Sequence, residues 1–199
     1  MSPRPDGLIR YPMEQWDIPL CASRGQAFRW REWADGWIGV DAGRILWCRP
    51  VAGGAEYATL PEPGRQDWIR SYFQLDVDLA QVHRAILKAE PALEPLVTRF
   101  PGLRVLRWGS AEECLLSFLC SVNNNIPRIS GMIERLCKHF GSPVGNGLHA
   151  FPSAEAIARA EEDELRSLGF GYRARTLRMA ARALCDKPAG WLSSLSALP

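Results

Sequence analysis

The sequence predicts an α+β fold: an N-terminal antiparallel β-sheet domain with flanking helices, followed by an incomplete all-helical domain. Three observations carry that expectation. Between Gln26 and Leu60, short runs rich in aromatic and β-branched residues are separated by the turn dipeptides Asp35-Gly36, Ala42-Gly43 and Gly53-Gly54, the signature of an antiparallel meander. From Ser110 onward the apolar residues recur at helical offsets instead. The change of period near Gly109 sets the expected boundaries: a flexible N-terminus over residues 1–15, a sheet-and-helix domain over 16–109, and a helical domain over 110–199.

The opening residues are Pro-rich and polar and read as loosely ordered. Strands are expected in QAFRWRE, WADGWIGVD, GRILWCRPV and AEYATL, with Trp30, Trp33, Trp37 and Trp47 as packing bulk or, alternatively, as faces for base stacking. Pro61 to Gly64 breaks the sheet. QDWIRSYFQLD and VDLAQVHRAILKAEPALEPLVTRF read as helices, the longer capped by Asp76 or Asp78 with Leu79, Val82, Ile86 and Leu87 inward. His83 there reads as a surface or half-buried histidine rather than a catalyst. PGLRVLRWG supplies a last strand or a connector.

The stretch from Ser110 to Gly141 organises the second half. Ser110 and Glu113 form a capping box, and Leu115, Leu116, Phe118, Leu119 and Val122 follow at helical spacing. Asn125 caps a second helix, Pro127 fits its first turn, and Ile129, Met132, Ile133, Leu136, Cys137 and Phe140 define its buried face before Gly141 ends it. Three asparagines, Asn123, Asn124 and Asn125, hold the corner between them. They read either as an ordinary turn or, with Arg128 one step beyond, as amide and guanidinium groups suited to base edges and phosphates. After a polar loop, SPVGNGLHA, Ser153 caps a helix to Ala160, and EEDELRSLG forms another closed by Gly169. A last helix begins at Tyr172. Arg173, Arg175, Arg178 and Arg182 make it the one concentrated basic patch, either a solvated face or a DNA-binding one.

Composition narrows the class. With 47% hydrophobic residues the 199-residue chain can bury a real core. The net charge of +2 gives no global basicity, so any nucleic-acid surface must be local. Six cysteines lack CxxC or metal-ligand spacing and read as small core residues of a reduced, intracellular protein, with no metal and no cofactor expected. No apolar run approaches bilayer length, and no membrane partner is expected.

Four motifs in order, SRGQAFRWRE at 23–32, YFQLD at 72–76, CLLSFLCSVNNNIPRISGMIERLCKHFG from Cys114 and LGFGYRAR at 168–175, resemble the 8-oxoguanine DNA glycosylase family. The resemblance runs from about Asp17 to Trp191. It implies base-excision repair by a monomeric protein on double-stranded DNA containing an oxidised purine, removed opposite cytosine with associated strand cleavage at the abasic site. Taking a nucleotide out of the stack costs a few kcal/mol, so the gap and the orphaned base need occupants. By resemblance Asn123 fills the gap, Arg128 and Arg173 address the estranged cytosine, and Tyr172 wedges beside them, with Asn124, Asn125 and Arg175 in the same DNA-binding surface. Gly25, otherwise a turn glycine entering a strand, matches the residue whose carbonyl reads the lesion. Oxidation at C8 makes N7 a donor, which a fixed carbonyl favours. Phe118, otherwise a core residue, borders the base pocket in this reading.

The family's lysine nucleophile and its aspartate belong to a helix-hairpin-helix element with no counterpart before the final LSSLSALP, and none of Lys88, Lys138 and Lys187 matches that lysine. The catalytic set is therefore expected beyond the chain end. Two readings stay open: the N-terminal portion of a glycosylase and lyase, or a catalytically inactive damaged-DNA-binding module. A third, a relative that removes another purine such as an alkylated adenine, is disfavoured by Gly25.

Overall fold

The structure, a computed structural model, describes residues 4–188 and 190–195. Residues 1–3 of the expected flexible N-terminus and the last four of the chain lie outside the described residues. The chain divides into two compact units, Met1–Gly39 with Ile45–Arg107, and Val40–Arg44 with Trp108–Pro199.

The first unit is built on a five-stranded sheet of β1 (Gly7–Arg10), β2 (Arg31–Trp33), β3 (Gly36–Asp41), β4 (Arg44–Val51) and β5 (Gly54–Leu60), in the order β1-β5-β4-β3-β2. The pairs β1–β5, β4–β5 and β2–β3 are antiparallel. β1 lies within the stretch read as loosely ordered. Four residues are too few to show a period of two, and its place is set by partners: Ile9 is buried, and the Asp6 carboxylate accepts from the Thr59 and Gly64 amides, both at 2.8 Å. QAFRWRE, in turn, is strand only over its last residues and Trp33. Ahead of them the Gln26 side chain donates to the Arg104 carbonyl (2.8 Å) and accepts from the Leu106 amide (3.1 Å), so side-chain bonds replace a ladder.

Of the expected turn dipeptides, Ala42-Gly43 does turn, both residues having positive φ (48° and 74°) as a two-residue hairpin of primed type requires. Gly36 instead stands inside β3, where a Cβ would meet the Cys48 carbonyl at 2.7 Å and the Trp47 ring at 2.9 Å. Its value is space. Trp16, Trp47, Phe73, Ile38, Ile45 and Ile69 fill the core of this unit. Trp30 joins them, its indole N–H donating to the Tyr72 hydroxyl at 2.9 Å, while Trp33 and Trp37 are half-buried. The packing role of Trp30 and Trp47 therefore prevails over base stacking.

Short helices flank the sheet: α1 (Ile18–Ser23), α2 (Gln66–Tyr72), α3 (Leu79–Ala89) and α4 (Glu94–Arg99). Asp78, of the two candidates, caps α3 by accepting from the Gln81 amide. Only Leu79 of the expected inward set is fully buried. Val82 and Ile86 join Leu96, Val97, Phe100 and Val105 in lining an apolar groove of about 570 Å³, which no described residue fills. His83, also in that groove, is half-buried. PGLRVLRWG is a connector, not a strand. It is pinned by Arg104, which is buried and donates to the carbonyls of Gln15 (2.7 Å), Gln74 (2.6 Å) and Val77 (3.2 Å) and to the Tyr11 hydroxyl. A buried cation is tolerated when its donors are used in this way.

The second unit contains α5 (Ala111–Phe118), α6 (Ile126–Phe140), the hairpin β6 (Pro143–Gly145) and β7 (Leu148–His149), α7 (Ala154–Arg159), α8 (Glu162–Leu165), a π-turn over Arg166–Phe170, α9 (Arg173–Cys185) and α10 (Trp191–Ser194). The three N-caps expected from the sequence form: Ser110, Asn125 and Ser153 accept from the amides of Glu113, Arg128 and Ala156 at 3.1, 3.0 and 3.2 Å. α6 buries Ile129, Met132, Ile133, Leu136 and Cys137, whereas α5 fully buries only Leu116 of its expected apolar face. Gly141 ends α6 with φ −88°, outside the left-handed region, and the Ala150 carbonyl occupies the place of a Cβ. SPVGNGLHA forms a hairpin rather than a loop, turning at Asn146-Gly147 (φ 52° and 69°). Cys21, Cys48, Cys120 and Cys137 are buried, but Cys114 and Cys185 are exposed and are not core residues. No helix among the described residues is long and apolar enough to cross a membrane.

Candidate nucleic-acid interface

The asparagine corner follows α5 and divides its amides between two tasks. Asn124 is half-buried, its side-chain N–H donating to the Cys120 carbonyl at 2.9 Å and its oxygen accepting from the Asn125 amide at 3.0 Å. Asn125 is occupied as the cap of α6. Asn123 remains, exposed and in the left-handed conformation with φ 49°, which asparagine tolerates better than most residues. Two of the three side chains thus shape the corner, and that of Asn123 alone takes no part in it.

Arg173 holds this corner from beneath. Only 5% exposed, it donates through Nη2 to the carbonyls of Val122 and Asn123, the latter at 3.0 Å. Its Nε–H is buried without a partner, and its guanidinium lies 4.4 Å from the centre of the Tyr172 ring. Tyr172 is 58% exposed beside it. Arg128 projects from the first turn of α6 and is exposed. Near Arg173, burial pushes the Cys120 thiol up to about 12 although the guanidinium pulls the other way, so this sulfur stays neutral.

The expected basic patch is smaller than its residue count. Arg178 and Arg182 turn their Nε groups to the Ala158 carbonyl at 3.5 and 3.3 Å, and Arg178 also pairs with Glu161 at 3.6 Å. They serve the end of α7. Arg175 stays exposed. Phe118, the last residue of α5, is 66% exposed, which removes the core reading. Gly25, in the first unit, is half-buried with φ 82°, a conformation that favours glycine.

Arg135 escaped the sequence reading. It lies seven residues after Arg128, on the same face of α6, and its Nε–H donates to the Leu168 carbonyl at 2.7 Å. A Cβ at Gly169 would lie 2.6 Å from its Nη2, and one at Gly131 3.3 Å from its Nη1. The glycines of GMIERL and LGFG were the available signal. Of the lysines, Lys88 and Lys138 are exposed in the last turns of α3 and α6. Lys187 lines a cavity of about 450 Å³ with Glu112, Glu155 and Trp191, its ammonium 5.1 Å from the Trp191 ring centre.

Comparison with known proteins covers both units. The profile of the 8-oxoguanine DNA glycosylase N-terminal domain matches residues 8–115, and that of the HhH-GPD superfamily of base excision DNA repair proteins matches residues 116–191. The N-glycosylase/DNA lyase OGG1 of Arabidopsis thaliana is 34% identical over 192 residues, covering 89% of this chain and 52% of that protein. The N-glycosylase/DNA lyase of Saccharomyces cerevisiae is 37% identical over 144 residues, 67% of this chain and 38% of that protein. The chain thus spans about half or less of the length of these two relatives. Among solved structures, MBOgg1 in complex with a low-affinity DNA ligand superposes with a TM-score of 0.78 at 28% identity, over 85% of this chain and 60% of that one. The Clostridium acetobutylicum 8-oxoguanine glycosylase/lyase, in complex with duplex DNA containing cytosine opposite 8-oxoG, has a TM-score of 0.77 at 24% identity, over 86% of this chain and 60% of that one, and speaks for the fold alone. Because the first of these profiles spans more than half of the residues and the second continues from it to the start of α10, the chain belongs to the 8-oxoguanine DNA glycosylase family.

Proposed function

We propose that this chain reads 8-oxoguanine opposite cytosine in duplex DNA for base-excision repair, as the lesion-reading part of a bifunctional DNA glycosylase and abasic-site lyase. It acts inside the cell and as a monomer. The observation that carries the reading is the displayed corner: an exposed Asn123, in left-handed conformation, whose side chain caps no helix and whose carbonyl accepts from a buried guanidinium, with Arg128 and Tyr172 also exposed. An amide of that size enters the space of an extruded base, and the guanidinium groups are donors suited to the acceptor edge of cytosine. Gly25, whose conformation favours a residue without a side chain, supplies the carbonyl that accepts from N7–H of the oxidised purine. Phe118 borders the base, and Arg175 meets phosphate.

Attack on C1′ needs an amine beside a carboxylate in an enclosed pocket. Lys88 and Lys138 stand exposed at helix ends, and Lys187, though it shares a cavity lining with Glu112 and Glu155, is itself exposed and placed over an indole ring. We therefore expect binding without cleavage by these 199 residues. Borohydride trapping on a duplex carrying 8-oxoguanine opposite cytosine, run beside a gel shift, tests both parts. A shift without a trapped complex is expected. No shift would remove the DNA-reading assignment, and a trapped complex abolished by Lys187→Ala would place the amine in this chain.

A further inference from the structure

We infer that Arg135 is a positioning residue for recognition of the base opposite the lesion, an inference that rests on the DNA-reading assignment above. The opposite-base contacts are divided between two pieces of chain: Arg128 belongs to α6, whereas Tyr172 and Arg173 follow the π-turn over Arg166–Phe170. Two guanidinium forks discriminate one base edge from another only if their spacing is held within a fraction of an ångström. The turn that sets this spacing contains Gly169 at φ 94° and leads into Gly171 at φ 56°, conformations that hold no side chain to fix them.

Arg135 supplies the missing constraint. It is rooted in α6 two turns beyond Arg128, on the same face, so any force on it is referred to the helix that carries Arg128. Its Nε–H donates to the Leu168 carbonyl at 2.7 Å, one residue before Gly169. Its guanidinium lies close to two glycines: a Cβ at Gly169 would stand 2.6 Å from Nη2 and one at Gly131 would stand 3.3 Å from Nη1. The seat is therefore made of absent side chains on both elements. From the other end of the same turn, Arg173 reaches the carbonyls of Val122 and Asn123. The segment 168–173 is thus tied to α6 at its start and to the asparagine corner at its end, and Arg135 is the tie at the start.

Specificity should depend on Arg135 even though its bonds go to protein. The test uses the full 199-residue chain and a fluorescent duplex with a tetrahydrofuran abasic-site analogue placed opposite cytosine or opposite adenine, by anisotropy over a salt series. Arg135→Ala is expected to lower the cytosine-over-adenine preference by about tenfold while leaving the salt slope of binding as in the unaltered chain, since no phosphate contact is lost. Arg135→Lys, which keeps a donor but not the planar fork, is expected to recover part of that preference, and it serves in place of the alanine variant should that variant fail to fold. Three results would overturn the inference: a preference equal to that of the unaltered chain, equal weakening on both duplexes with a shallower salt slope, as for a phosphate contact, or a lowered melting temperature with an unchanged preference. An unaltered chain that binds the duplexes without preferring cytosine would overturn the DNA-reading assignment itself, and this inference with it.

Discussion

At Asn123 the conformation and the chemistry can be separated by substitution. Alanine at a left-handed position costs roughly 1 kcal/mol, while glycine adopts it freely, and both remove the amide. Asn123→Ala and Asn123→Gly are expected to weaken binding to an 8-oxoguanine duplex alike, by about tenfold, with only the alanine form losing stability in urea. Equal affinity of the glycine form and the unaltered chain would show that the backbone corner, not the amide, is recognised. Buried thiols give the other residue-scale expectation. Burial pushes Cys21 up from 9.0 to about 11 and Cys120 to about 12. Below pH 9 both folded and unfolded chains keep these protons, so the stabilising contribution is fully present. As pH rises from 9 toward 11 and 12 the unfolded chain ionises first, and stability falls. Urea midpoints across that range should drop less steeply for Cys21→Ala and Cys120→Ala, each compared with its own value at pH 8.

For the elements, what the sequence showed and what it hid have different physical origins. Helix caps and helix faces are local, so Ser110, Asn125, Ser153 and the buried face of α6 were all readable from spacing. The Asn146-Gly147 hairpin is equally local, but its strands, only three and two residues long, are too short to show a period. Non-local partners left no such trace. β1 exists through β5, residues 26–30 are held by Gln26 to the connector at 104–106, and Gly36 is a glycine because Trp47 and the Cys48 carbonyl on the next strand occupy its side-chain space. Gly36→Ala should therefore act as overpacking rather than as a turn defect, costing about 1–3 kcal/mol in chemical denaturation. A loss below a few tenths would mean that the Trp47 ring can move aside.

On the scale of the whole molecule, the fold class and the asparagine corner were legible, whereas the division of labour within the corner was not. Three adjacent asparagines look equivalent in sequence, and only their bonds separate the displayed Asn123 from Asn124 and Asn125. The arginines of α9 behave likewise: charge counting groups four, and geometry leaves Arg175 exposed, buries Arg173 and commits Arg178 and Arg182 to α7. The face of α3 expected to point inward buries only Leu79, and the rest of it borders an open groove in which Leu96 and Val105 are 55% and 71% exposed. An apolar surface of this kind binds hydrophobic dyes and promotes association. The chain should enhance ANS fluorescence in its native state, and Leu96→Lys should reduce that signal without lowering the melting temperature. A native chain silent to ANS would mean that the groove is closed in solution.

The bonds from Arg173 end on main-chain carbonyls, so the mounting of the corner is indifferent to which side chain stands at position 123. Asparagine, aspartate and glycine all accept the geometry, and each would offer DNA a different tip on an unchanged base. The corner is in that sense an interchangeable bit in a fixed chuck: changing what fills the space of the extruded base would begin by exchanging the tip, with the grip left alone.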